Sequence, residues 1–437
     1  MRVAGVCLLA LLVLPGYVGA ARNATNSILG ENSRPTAYGL KIVRGIDAAE
    51  QPAGDFFPIA GMSLMAYMDS INSAEGQGGA YASDLAEPLQ DIGRAYQSEH
   101  KHREAMRYFR RALHLSRINE GLYTESQLPV LDYMIDSHLA MGQLFDVDDK
   151  QNYRFRVQQK LYTAGDPALL DATREYAEWQ RQAYLDGFAG NNYRRLVDIY
   201  DMYSAQIDHL EAGEQGEASL VPHLYQRMEA EYLLSQYEGE KEAEIQVSVS
   251  NPLDKKFALS TDPAVNRFKY LKDFNYRNGE RTMKRIVELL EQAEEVDAVK
   301  LAEAKIALGD WYLWWDVLVR GIQAYEEAWM ILEQDGSKYT NPDSLFSEPV
   351  ELPVTSVFHP GSITSAPEQQ ALATILFDVS RQGRAREVEI VEQDPPGEMG
   401  ARVALFDMVK EMRFRPIVRQ GKVVQSNSVI RVYRYDY

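Results

Sequence analysis

Residues 85–117 read LAEPLQDIGRAYQSEHKHREAMRYFRRALHLSR, and residues 301–334 read LAEAKIALGDWYLWWDVLVRGIQAYEEAWMILEQ. In the first stretch Gly93, Tyr96, Ala105, Phe109 and Ala112 follow one another at steps of 3, 9, 4 and 3. In the second, Gly309, Tyr312, Gly321, Tyr325 and Ala328 repeat those four steps. Steps of 3 and 4 keep residues on one helical face. A small residue such as Gly93 or Ala105 lets two antiparallel helices approach closely. An aromatic such as Tyr96 or Phe109 fills the groove beside it, and Ala112 permits contact with the next pair. Two copies of one spacing predict a repeated helix-turn-helix.

These steps resemble the tetratricopeptide repeat, a helix-turn-helix unit of ~34 residues. Gly93 and Gly309 lie 216 positions apart, which leaves room for about five or six such units. The resemblance implies a curved solenoid whose concave groove binds a peptide or a protein. It makes Arg94, Asp310 and Trp314 candidate groove residues. The sequence between the copies is helical but degenerate, with Leu131, Met134, Ile135 and His138 before Gly142, and Tyr-rich periodic runs over 168–188, 193–213 and 220–244. Residues 244–265 interrupt the pattern as an extended segment or a loop, and 281–295 resume a helix. The helical domain is expected to span 63–335, followed by a Pro-rich linker over 336–366.

From residue 367 the period changes. Leu372, Thr374, Leu376 and Asp378 alternate with Ala373, Ile375, Phe377 and Val379, the pattern of a half-buried strand. Gln382-Gly383 predicts a tight turn. A second strand follows, with Val388 and Ile390 on one face and Glu387 and Glu389 on the other. Val403, Phe406, Val409 and Met412, with Leu405, predict an amphipathic helix that Pro416 stops. Gly421-Lys422 predicts another turn, and Val429, Arg431 and Tyr433 alternate with Ile430, Val432 and Arg434 in a last strand. The expected unit is a three-stranded antiparallel sheet with one long helix.

The order of strand, Gly383, strand, helix, Arg413-Phe414-x-Pro416, Gly421 and a β-rich terminus resembles the TonB C-terminal domain, the periplasmic end of envelope energy transducers. The resemblance covers about the last 75 residues, a sixth of the chain. It implies that an extended peptide from an outer-membrane transporter adds beside the exposed edge of the sheet, here Ser428, Val429, Ile430, Arg431, Val432, Tyr433 and Arg434. Main-chain hydrogen bonds would supply affinity, and alternate side chains the choice of partner.

At the other end, Met1-Arg2, the apolar run VAGVCLLALLVLPG and Val18-Gly19-Ala20 before Ala21 read as a signal peptide over 1–20, cleaved on export to the periplasm. The run is short for a ~20-residue membrane span and carries Pro15-Gly16 near its end. Retained, it would instead be a single inner-membrane anchor. Cys7 is the one cysteine, so no thiol chemistry is expected in the mature chain. Residues 21–62, rich in Asn, Ser, Gly and Pro, read as an irregular lead. Asn23-Ala24-Thr25 matches a glycosylation sequon but reads as polar linker.

The net charge is −18, yet residues 369–437 hold 11 Lys+Arg and 9 Asp+Glu, so the acidity lies in the body. An acidic body repels phosphate backbones and excludes nucleic acid as the expected partner. Asp146-Val147-Asp148-Asp149 opens like a calcium loop but lacks the later Gly and Glu, and reads as a solvated turn between helices. No histidine has metal-ligand spacing, and no catalytic Ser, Cys or phosphate-cradling Gly loop is evident. The cluster Trp311-Tyr312-x-Trp314-Trp315 reads mainly as packing between repeats. No enzyme, cofactor, metal or small-molecule substrate is expected. The expected function is a periplasmic scaffold that docks envelope proteins, with TonB-dependent outer-membrane transporters as the expected class. The alternatives are an anchored energy transducer, and an assembly scaffold that binds peptidoglycan or a lipoprotein.

Overall fold

The computed structural model describes residues 34–35, 41–43, 64–185, 192–213, 220–237, 262–336, 342–353, 370–394 and 399–436. The leader over 1–20, the sequon and most of the interruption over 244–265 lie outside the described residues. The elements run β1 (Arg34–Pro35), β2 (Lys41–Val43), α1 (Leu64–Gly78), α2 (Ala86–Ser98), α3 (His102–Asn119), α4 (Gln127–Ala140), α5 (Leu144–Leu161), α6 (Pro167–Leu185), α7 (Asn192–Ala212), α8 (Leu220–Gln236) and α9 (Pro263–Glu291). They continue with α10 (Ala298–Trp314), α11 (Leu318–Asp335), α12 (Pro342–Leu345), β3 (Val350–Leu352), β4 (Gln370–Val379), β5 (Ala385–Asp394), α13 (Met399–Glu411), β6 (Arg413–Arg415), β7 (Ile417–Arg419), β8 (Lys422–Val424) and β9 (Ser426–Asp436). Two compact units emerge: a helical one built from α1–α9, and a mixed one that joins β1 and β2 to everything from α10 onward. The last helix pair therefore belongs with the sheet rather than with the preceding helices.

In the helical unit α2–α9 form four consecutive pairs, and the small-residue spacing does what its chemistry demands. A Cβ built on Gly93 would stand 2.3 Å from the Phe109 ring, so only glycine lets α2 and α3 come this close. Phe109, Ala105 and Ala112 are fully buried, and Phe109 stacks on Tyr133 of the next pair with centroids 5.6 Å apart. Tyr96 is half-buried and stacks instead on Tyr108. Asp146, Asp148 and Asp149 do not form a turn; they lie inside α5. Two nitrogens of Arg195 each donate to Asp148 at 2.9 Å, and Trp179 Nε1 donates to it at 2.8 Å. Burial pushes the Asp148 carboxyl up, but the hydrogen bonds from Arg195 and Trp179, with the charge of Arg195, outweigh it and hold the group below the usual carboxylate range.

Between α8 and α9 sits a buried acid. Glu231 has no exposed surface, and Asn275 Nδ2 donates to its Oε2 at 2.5 Å and to its carbonyl at 2.9 Å. Burial pushes its carboxyl well above the usual range; Arg227, Asn275, Tyr200 and Arg267 pull it back only in part. The folded unit therefore holds this proton more tightly than the unfolded chain does. Its contribution to stability is present below the unfolded carboxyl range and is lost as pH rises toward the folded value. Glu231→Gln should flatten the fall in melting temperature between mild acid and neutral pH and leave the variant more stable at neutrality. Parallel curves for the two proteins, each monitored by circular dichroism, would refute this.

In the mixed unit the sheet order is β1-β2-β9-β4-β5, antiparallel throughout. Two of its five strands come from the lead read as irregular, so the expected three-stranded sheet is a five-stranded one. A two- or three-residue strand carries no period to read. The supposed linker likewise contains α12 and β3, and β3 pairs with β6 through Glu351↔Phe414. Ala373, Ile375, Phe377 and Val379 form the buried face of β4, packed with Ile390, Val429, Tyr433 and one face of α13. Each large apolar side chain so buried contributes about 1.5–3 kcal/mol relative to exposure. That face of α13 is Leu405, Met408 and Val409, continued by Met412 just past the helix end, an i, i+3, i+4, i+7 set; Val403 is exposed. The buried face is rotated from the expected one because Val403 and Phe406 suggest a different seam. Phe406 carries the Lys410 ammonium 4.2 Å from its ring centre. The helix ends at Glu411, before Pro416, because Arg413 already pairs with Leu352. The turn expected at Gly421-Lys422 lies one residue earlier. Arg419 pairs with Lys422, and Gln420 and Gly421 both take positive φ, as a two-residue hairpin turn requires.

Candidate functional site

Strand β9 is built from alternating side chains. Val429 and Tyr433 point into the core, whereas Ile430 is 58% and Val432 41% exposed on the other face. One backbone edge of β9 pairs with β4 from Ser426 to Asp436. The opposite edge pairs with β2 only at its far end, through Val43↔Arg434, Ile42↔Tyr435 and Lys41↔Asp436. Arg434, expected on a free edge, is therefore flanked on both sides. Ser428 is also committed: it sits at φ +57°, opposite a bulge in β4, and its N–H donates to Asp378 Oδ1 at 2.9 Å. The stretch left without a backbone partner on that edge, among the described residues, is Val429–Val432.

Arg431 does not simply blunt the edge. Its guanidinium donates to Glu348 at 3.1 Å, to the Pro349 carbonyl at 3.0 Å and to the Ile430 carbonyl at 3.0 Å. It fastens the segment before β3 to the strand. Placing an arginine there is one of the ways proteins guard a sheet edge.

The three expected groove residues fall in two different units. Arg94 is on α2 in the helical unit, and its guanidinium lies 5.2 Å from the Tyr133 ring centre and 3.8 Å from Asp91. Asp310 and Trp314 are on α10 in the mixed unit. Trp314 is partly buried against Tyr325, Leu332 and their neighbours. Asp310 is buried and offers nothing to a partner. It accepts from Arg415 Nε at 2.9 Å, from Arg415 Nη2 at 2.6 Å and from Tyr325 Oη at 2.8 Å. The repeat pattern places Asp310 on a groove face; a strand 105 residues later covers that face.

The feature the sequence did not disclose is an unpaired acid in the helical unit. Arg194 is engaged by Asp262, Arg195 by Asp148 and Arg267 by Asp201, which leaves Asp198 with no ion pair or hydrogen bond among the described residues. Burial raises its carboxyl, the neighbouring Asp201 raises it further, and Arg194 and Arg195 offset this only in part. Asp198, one of two Asp in the helical run YRRLVDIYDMY, carries no signal that its neighbours' charges are spent elsewhere.

Among the described residues no three His, Cys, Asp or Glu side chains gather as a metal site, and no helix is long and apolar enough to cross a membrane. No protein-family model matches the chain, and no curated protein matches its sequence. Among solved structures the chain is similar to BtubC (BKLC) from P. vanneervenii, at 10% identity and a TM-score of 0.31, over 64% of this chain and 93% of that one. It is also similar to a putative kinesin light chain from Podospora anserina with nearly identical TPR-like repeats, at 11% identity and a TM-score of 0.33, over 58% of this chain and 97% of that one.

Proposed function

We propose that this chain is a non-enzymatic protein–protein interaction scaffold acting in the periplasm, and that its terminal sheet takes an extended segment of an envelope protein along β9. The partner class we propose is the TonB-dependent outer-membrane transporter. The observation that carries the reading is that β9 already accepts an added antiparallel strand. β2, nearly the whole chain away in sequence, pairs with Arg434–Asp436. An edge that takes a three-residue strand from so far away has the geometry for strand addition. Val429–Val432 continues that same edge, and the exposed Ile430 and Val432 side chains lie where a partner's outward residues would rest beside them.

A photo-crosslinking residue at Ile430 of the full chain, expressed in a Gram-negative envelope, should capture an outer-membrane transporter. The same residue at Phe145, which is 77% exposed in the helical unit, should not. Equal capture at both positions, or none at Ile430, overturns the reading.

A further inference from the structure

The helical unit holds a cleft of about 430 Å3, partly open to solvent, within the ~300–1,000 Å3 range of ligand-holding clefts. It is set between the second helices of two consecutive pairs, α5 and α7, with α6 as its floor. Phe155, Leu169, Tyr176 and Met202 give it an apolar wall, and Asp198 and Asp201 stand at its α7 side. Phe155 and Tyr176 stack with centroids 4.5 Å apart, so that wall is a fixed surface rather than a collection of loose side chains.

The two acids differ in what they have. Asp201 accepts from Arg267 Nη2 at 2.6 Å and Nε at 3.0 Å. Asp198 forms no ion pair among the described residues, since the nearby Arg194 and Arg195 pair with Asp262 and Asp148. An exposed carboxylate without an ion pair, beside a second carboxylate and an apolar wall, is a place where an added positive charge relieves repulsion. A compact ammonium on a methylene stem fits both halves of the cleft, since the stem lies on apolar surface while the charge reaches the acid.

We propose that this cleft binds a lysine side chain, together with a neighbouring apolar side chain, of an extended segment of a partner polypeptide. The volume accommodates an apolar residue beside the lysine. The site is separate from β9 and stands whether or not the edge reading holds.

The test uses the full chain and the peptide acetyl-Ala-Leu-Lys-Ala-amide, followed by isothermal titration. Binding is expected, with affinity falling at least tenfold when the peptide lysine is replaced by norleucine, and likewise in the Asp198→Asn protein. A second variant, Met202→Lys, supplies an ammonium one helical turn from Asp198. It should raise the melting temperature of the helical unit while abolishing peptide binding. Absence of peptide binding, unchanged affinity with norleucine, or a Met202→Lys protein that still binds overturns the proposal. Butylamine binding as tightly as the peptide would likewise overturn it, by assigning the cleft to a small amine.

Discussion

Replacing Arg415 with alanine is expected to cost the mixed unit about 3–5 kcal/mol, the usual consequence of leaving one member of a buried ion pair without the other. Asp310 is 4% and Arg415 9% exposed, and the two meet through a pair of hydrogen bonds at 2.9 and 2.6 Å. Removing the guanidinium strands a carboxylate with only the Tyr325 hydroxyl to answer it. Four of the five tryptophans, Trp311, Trp314, Trp315 and Trp329, lie in this unit, so urea unfolding followed by tryptophan fluorescence reads it selectively. Arg415→Lys should recover only part of the loss, because an ammonium cannot make the two parallel contacts of the guanidinium. A loss below about 1 kcal/mol for Arg415→Ala, the ordinary worth of an exposed pair, would show that the pair is not buried in solution.

That ion pair also marks how far the sequence can be read. The repeat spacing is a local code. Gly93 over Phe109 and Gly309 under Tyr325 are contacts within single helix pairs, and 3-and-4 periodicity suffices to find them. Strands β4, β5 and β9 were legible for the same reason, since ten or eleven residues display an alternation. What the sequence hid is non-local. Asp310 looked like a groove residue because the face it occupies is open in an isolated repeat. The motif Arg413-Phe414-x-Pro416 drew attention to its named positions, yet the unnamed one, Arg415, makes the connection to α10. A better signal was present: α10 is buried nearly all round, from Leu301 and Ala302 to Tyr312 and Leu313, and a helix apolar on every side has neighbours on every side. β2 escaped notice because three residues carry no period, and its pairing with β9 is what narrows the candidate edge to Val429–Val432.

A second large effect is expected from Gly383→Ala, which should destabilise the mixed unit by about 2–5 kcal/mol, the sum of two independent costs. Its φ is +69°, a left-handed conformation that costs an L-residue roughly 1–2 kcal/mol. An added Cβ would also stand 2.2 Å from the Phe414 carbonyl oxygen and 2.8 Å from a Leu313 methyl. The first neighbour is backbone and cannot swing aside, so the turn or β6 must move, at the ~1–3 kcal/mol typical of overpacking. Movement is resisted from both sides. Phe414 N–H donates to the Gly383 carbonyl at 2.9 Å, and β6 is held by β3 on its other edge. The β4–β5 hairpin and the Arg413–Arg415 strand are thus joined through a position where any side chain is too large. Gly383→Asn separates the two costs, because asparagine tolerates the left-handed region but still carries a Cβ. If steric approach dominates, asparagine should be nearly as damaging as alanine in urea titrations of the full chain. If conformation alone mattered, asparagine would restore most of the stability, and the close approach to Phe414 would not exist in solution.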